Sequence, residues 1–337
     1  MTITLTDFDN HTTTPLPYDA ARPTAAPGAI WLDVSSPTDD DLAWLARTYV
    51  FHPLTIENCR EFNQRAKIEA YASYADTTAI APSPAGSDSG APRSNAGPGY
   101  LFLTFMLTAR ADGDLRAQEM EAFLGPDYLI TVHREPIPVL DAVREQCTKE
   151  TRADFVLYRI ADKIVDAYFP LLDEMDDEID ALEDQILENA TQATMERIFT
   201  LKQQLVLLRK ITAPMREVMN ALAGTRFGLI DMQTALYFRD VYDHLTRIYD
   251  LIETSRDLLG NSLDAYLSIV SNRLNEVMKR LTLFTTVFMP ISFLVGFGGM
   301  NFVQMPFNNP VVFSLLMALL IFVPLTMVIW FRRSKWV

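Results

Sequence analysis

Residues 281–331 read LTLFTTVFMPISFLVGFGGMNFVQMPFNNPVVFSLLMALLIFVPLTMVIWF. These 51 consecutive positions hold no Asp, Glu, Lys, Arg or His, in a chain whose charged residues are 21% of the whole. The run is interrupted once, at 298–310, where Gly298, Gly299, Pro306 and Pro310 gather. The two apolar stretches, 281–299 and 311–331, are each close to the roughly 20 residues that cross about 30 Å of hydrocarbon as a helix. Pro290 and Pro324 lie inside them, which membrane helices tolerate when neighbouring groups satisfy the freed carbonyls. Lys279 and Arg280 precede the first stretch, and Arg332, Arg333 and Lys335 follow the second. A buried hairpin of a soluble protein would not be bracketed by bases in this way. The pattern predicts two membrane spans joined by a short uncharged loop.

The flanking bases also predict orientation. Positive charge stays on the cytoplasmic side. Both termini and the large aqueous part are therefore expected in the cytoplasm, with the chain a multi-pass protein of the cytoplasmic membrane. Trp330 and Trp336 fit an aromatic belt at the interface.

The rest of the chain is acidic. The whole carries −14, whereas residues from Ser271 onward carry +5, leaving −19 on residues 1–270. Such a domain attracts cations and disfavours nucleic acid or anionic lipid. Two cysteines, Cys59 and Cys147, with no CxxC motif, argue for a reduced setting and against a disulfide framework. MTITLTDFDN at residues 1–10 lacks the basic and apolar regions of a signal peptide. No GxxxxGK[ST] or HExxH occurs, and His11, His52, His133 and His244 do not cluster in sequence. The expectation is a protein that is not an enzyme, uses no ATP and holds no organic cofactor.

Residues 1–150 read as an α/β domain. Strand-like runs fall at 29–34, 99–108 and 128–132, and helical runs at 38–48 and 137–147. Residues 82–98, PSPAGSDSGAPRSNAGP, have a composition that cannot bury a core, and predict a flexible insert. Residues 151–280 form a helical cytoplasmic region and stalk, and 281–337 the membrane hairpin. In LLDEMDDEIDALEDQILE, at 171–188, Leu172, Met175, Ile179, Leu182 and Ile186 recur every three or four residues. One face of that helix packs and the others are acidic. No proline occurs between Pro214 and Pro290, so a helix from about Leu236 to the loop would be roughly 95 Å long. The fold class expected is α+β.

The long helix carries a polar stripe. Steps of four and three from Asp264 give Ser268, Ser271, Asn275, Met278, Thr282, Thr285, Met289, Ser292, Gly296 and Gly299. Every one is polar, small or Met, while Leu281, Phe284, Phe288 and Phe293 occupy other faces. A period of 3.5 lets several copies wrap around a common axis. A tight helix contact through small residues is one reading of the stripe. A water-bearing path lined by several subunits is the other, and two spans per protomer make oligomerisation a condition for it.

The first span ends in Gly299-Met300-Asn301-Phe302-Val303-Gln304-Met305-Pro306. Here the sequence resembles the CorA family of divalent metal ion transporters, whose signature is Gly-Met-Asn followed by Phe, a pair of residues, Met and Pro. SNRLNEVMKRLTLFTTVFMPISFLVGF at 271–297, YFRDVYDHL at 237–245, DDEID at 176–180 and the basic-Trp ending at 332–336 match as well. So do HPLTIE at 52–57 and QRAKIE at 64–69. The resemblance covers most of residues 45–337.

The resemblance implies a funnel-shaped homopentamer around one central pore that takes up Mg²⁺, with Co²⁺ and Ni²⁺ as further cargo. Mg²⁺ would then be both substrate and regulatory ligand. Gly299, Met300 and Asn301 would form the selectivity filter. Magnesium gives up water reluctantly, and a ring of amide oxygens accepts hydrogen bonds from a hydrated ion without stripping it. Asn275, Met278, Leu281, Thr282, Thr285, Met289, Ser292 and Gly296 would line the pore. Asp264, Asp240 and Asp162 would bind the Mg²⁺ that holds the pore closed, with Asp112 or Asp114 of a neighbour facing Asp264. The chain departs from the family at Val303 and Phe307, where acids are common, at Gly298 and at Ala66. A Zn²⁺ transporter of the same superfamily and a membrane-anchored metal sensor are the alternatives.

Overall fold

A computed structural model describes residues 3–7, 12–16, 22–23, 29–71, 99–111, 114–147, 151–224, 227–300 and 309–334. The chain forms two compact units, Met1–Leu182 with Glu196–Gly260, and Glu183–Met195 with Asn261–Val337.

The first unit is built on seven strands: β1 (Ile3–Asp7), β2 (Thr12–Pro15), β3 (Ile30–Ser35), β4 (Lys67–Tyr71), β5 (Tyr100–Ala111), β6 (Asp114–Leu124) and β7 (Tyr128–His133). Their order in the sheet is β2-β1-β3-β7-β6-β5-β4. All neighbours are antiparallel except β3 and β7. These two read IWLDVS and YLITVH and are buried along nearly their whole length. A strand covered on both faces has no need to alternate apolar with polar residues.

Two helices, α1 (Asp39–Tyr49) and α2 (Pro53–Glu61), cover one face. Thr38 and Asp41 form a reciprocal capping box that starts α1. Pro53 opens α2, and the His52 ring accepts the Leu54 N–H. Leu42, Trp44, Leu45, Ile56 and Cys59 pack there against Leu32, Phe102, Phe123 and Ile130. On the other side α4 (Ala153–Asp166), preceded by α3 (Pro138–Gln146), packs on β6 and β7. The β6–β7 turn depends on Gly125, whose N–H bonds to the Tyr128 carbonyl at 2.9 Å. A Cβ at Gly125 would lie 2.2 Å from the Tyr128 ring.

Four helices follow: α5 (Tyr168–Asn189), α6 (Gln192–Ala223), α7 (Met232–Gly298) and α8 (Pro310–Arg333). The expected apolar stripe of α5, from Leu172 to Ile186, is buried at every position. Helix α7 runs 67 residues through Gly260 and Pro290 without interruption, starting four residues before the expected Leu236. Phe238, Val241, Leu245, Ile248, Ile252, Leu259 and Tyr266 form its buried stripe. Beyond Tyr266 no residue of α7 is buried. The last stretch of α7 and all of α8 are long and apolar enough to cross a membrane, and none of their most apolar windows is buried. Asn309 caps α8 through the Val311 N–H, and Arg332 and Arg333 stand in its last turn, where positive charge suits the helix dipole. The insert at 82–98 lies outside the described residues.

Candidate ion pathway and metal-binding side chains

Every position of the polar stripe on α7, from Asp264 to Gly299, is exposed on the protomer. So are the Phe residues on its other faces, so the stripe is marked out by its chemistry and not by exposure alone. Thr282 Oγ1 donates to the Met278 carbonyl at 2.8 Å, and Thr285 Oγ1 to the Leu281 carbonyl at 3.0 Å. With their protons committed to the backbone, these hydroxyls present lone pairs outward. Lone pairs are what the waters around a cation seek, since those waters point their hydrogens away from the ion. Met278 (58% exposed) and Met289 (66%) interrupt the stripe with apolar surface, and Leu281 (59%) stands beside it, not on it. Asn275, Ser292 and Gly296 are exposed between them.

Gly299 closes the helix with an N–H to the Val295 carbonyl at 2.9 Å, and Met300 follows with an N–H to Phe297 at 3.3 Å. A Cβ at Gly299 would press to 3.3 Å of the Val295 oxygen, so the chain leaves the helix most easily with glycine there. Asn301 lies outside the described residues.

The first unit gathers a second set of groups. Asp162 and Asp166 stand one turn apart on α4, and Asp240 and His244 one turn apart on α7. One ligand atom from each of Asp162, Asp166 and His244 lies within 4.8 Å of the others. His244 Nε2 is 3.9 Å from Asp240 Oδ2, while Nδ1 is buried without a hydrogen-bond partner. Aromatic contacts hold the helices side by side there: Tyr158 stacks on Tyr237, meets Phe238 edge-on, and Phe169 meets His244 edge-on. Burial, and then the neighbouring Asp166 carboxylate, push the Asp162 carboxyl above the usual range. A cation between these groups would relieve that repulsion. Asp166 is meanwhile paired with Lys163 at 2.9 Å.

The structure therefore brings two of the expected metal-binding acids, Asp162 and Asp240, to one place and adds Asp166 and His244. The spacings Asp162 to Asp166 and Asp240 to His244 each put two groups on one helix face, but neither tells that the two faces meet. Asp264 is exposed in the second unit. Asp114 opens β6 in the first, and Asp112 lies outside the described residues.

A sheet-based unit, one long helix running on into an apolar segment and a second apolar helix are the build of a membrane protein with two apolar C-terminal helices. The chain belongs to the CorA family: the model of the CorA-like Mg²⁺ transporter proteins matches residues 27–333. It is 35% identical over 324 residues to the cobalt/magnesium transport protein CorA of Thermotoga maritima, covering 90% of this chain and 84% of that protein. Identity to the protein of the same name from Methanocaldococcus jannaschii is 30% over 245 residues, covering 70% of this chain and 77% of that one. Superposed on the complete structure of the M. jannaschii CorA magnesium transporter, the chain gives a TM-score of 0.81 at 22% identity, with 100% of this chain and 99% of that chain covered. The α+β class and the family resemblance are thereby borne out.

Proposed function

We propose that this chain is the protomer of a passive channel that carries Mg²⁺, with Co²⁺ and Ni²⁺, into the cytoplasm. The observation that carries the reading is the stripe of exposed hydroxyl, amide, glycine and Met side chains on the apolar end of α7, closing on Gly299-Met300-Asn301. A simple anchor needs no such face. Membership of the CorA family and the names of its relatives support magnesium and cobalt as cargo.

In this reading five copies surround one path. Residues 1–150 and 151–280 stand in the cytoplasm and 281–337 in the bilayer. Gly299, Met300 and Asn301 select the hydrated ion, and Asn275, Thr282, Thr285, Ser292 and Gly296 carry it on. Met278, Leu281 and Met289 are constrictions that stop ions by dewetting. Internal Mg²⁺ bound at Asp264, Asp240 and Asp162 holds the path shut, because without it those carboxylates repel. His244 adds an imidazole to that set, which suits Co²⁺ and Ni²⁺ better than Mg²⁺.

Flux of Mg²⁺, Co²⁺, Ni²⁺ and Zn²⁺ into liposomes holding the purified protein tests the reading. Mg²⁺ flux is expected, and its loss on Asn301→Ala. Flux of Zn²⁺ alone would assign the chain to the zinc branch instead, and no flux of any ion would favour a sensor. Asp264→Lys is expected to raise the internal Mg²⁺ needed for inhibition by at least about fivefold, the low end of ordinary allosteric coupling.

A further inference from the structure

Two carboxylates are buried in the sheet of the first unit, and their surroundings differ. Asp33 is desolvated, but His133, Thr131 and Arg144 all reach it at 2.5–3.1 Å and hold its carboxyl below the usual range. Glu121 on β6 is fully buried and has one donor: Thr104 Oγ1 on β5, at 2.7 Å from Oε2. Its Oε1 is buried with no hydrogen-bond partner. The carboxylate of Glu119, two residues earlier on the same face of β6, is within hydrogen-bonding reach of it.

Other charges near the pair are poorly placed to neutralise it. Lys67 on β4 lies across Thr104 in the cross-strand register, but its Nζ pairs with Glu69 at 3.4 Å and sits over the Phe102 ring. Cys59 of α2, which feels both carboxylates, is held as a neutral thiol first by burial. Glu119 accepts the backbone N–H of Gln64 at 3.0 Å and lines a cavity of about 500 Å³ below the end of α2. The other charged groups around that cavity are Arg65, Arg134, Glu135 and Lys210. Arg134 is spent on the Arg60 and Glu61 carbonyls.

Two ionised carboxylates in contact, one of them desolvated, repel strongly. A proton between them removes one charge and gives Oε1 the donor it lacks. We infer that Glu119 and Glu121 hold one shared proton at neutral pH, forming a proton-binding site that opens on this cavity. Glu119 is the member with a route to solvent, so proton loss would turn it into the cavity and release the Gln64 amide. Burial first, and then Glu119, raise the Glu121 carboxyl well above its ordinary value, in keeping with this.

Infrared difference spectra of the full-length chain, labelled with ¹³C-glutamate, test the inference. An un-ionised glutamic acid band is expected to persist at neutral pH and to disappear in alkali. It should be absent at neutral pH from Glu121→Gln, and also from Glu119→Gln, whose amide would donate to Glu121 and let it ionise. Amide exchange at Gln64, corrected for its intrinsic pH dependence, should accelerate as the band disappears. No such band in the native chain, or a band unchanged in Glu121→Gln, would overturn the shared proton. Exchange at Gln64 that ignores the band's loss would overturn the coupling to the loop.

Discussion

The two ends of α7 obey one helical geometry and opposite packing rules. From Met232 to Tyr266 the helix buries an apolar stripe, and its polar groups find partners: Ser255 Oγ donates to Asp176 at 2.6 Å, and Ser262 Oγ to Glu183 at 2.9 Å. From there to Gly298 nothing is buried, and serine, threonine and asparagine line up with no partner beyond their own backbone among the described residues. The first end is finished as a folded protomer. The second, in the proposed reading, is finished by lipid and by other copies of itself. A hydroxyl that closes a contact and a hydroxyl left on an exposed stripe differ in what surrounds them, not in kind.

The largest effect that separates the two ends is expected from truncating their aromatics. Phe238→Ala should cost about 3–5 kcal/mol of first-unit stability, because it empties a fully buried site. Phe284, 67% exposed, should cost nothing on the same scale when replaced by alanine. Denaturant titration followed by tryptophan fluorescence in detergent makes the comparison, and equal losses would break it.

Glu121 is the exception in the well-packed region, and it sharpens the rule. Burial, and then Glu119, raise its carboxyl well above the ordinary value of about 4.5, so above that pH the native state is expected to bind more protons than the unfolded chain. Stability should therefore fall as pH rises from there, until the native Glu121 carboxyl has itself ionised, by up to about 1.4 kcal/mol per pH unit. Glu121→Gln should flatten that slope in denaturation midpoints measured across pH. A slope identical to the native one would show that Oε1 has a donor after all.

The smallest expected difference is between serines. Ser255→Ala should cost about 1 kcal/mol, one hydrogen bond's worth, and Ser271→Ala on the exposed stripe none. A matching loss at Ser271 would mean that the stripe packs within the protomer.

The same contrast explains what could be read in advance. The proline-free stretch after Pro214, the two apolar stretches of the charge-free run and the α5 stripe each carry one signal over many residues, and each forms a helix as expected. Strand β6 does not announce itself: DLRAQEMEAFL is rich in helix formers, and it becomes a strand because β5 and β7 pair with both of its edges. Strands β1 and β2 depend likewise on the distant β3 for their sheet. Helix α2 was hidden behind Pro53, which reads as a breaker and serves here as the first residue. At the acidic group on α4 and α7, Asp162 and Asp240 came from the family pattern. Asp166 and His244 needed the knowledge that α4 and α7 lie side by side, which no spacing within either helix provides.

In the proposed channel the polar face of α7 lines the route of the ion. Thiol modification during Mg²⁺ flux into liposomes tests it most directly, because the native cysteines, Cys59 and Cys147, are both buried. A charged water-soluble thiol reagent is expected to stop flux through Ser292→Cys and to leave Phe284→Cys conducting. Equal block of both variants, or of neither, would contradict the assignment of that face to the path.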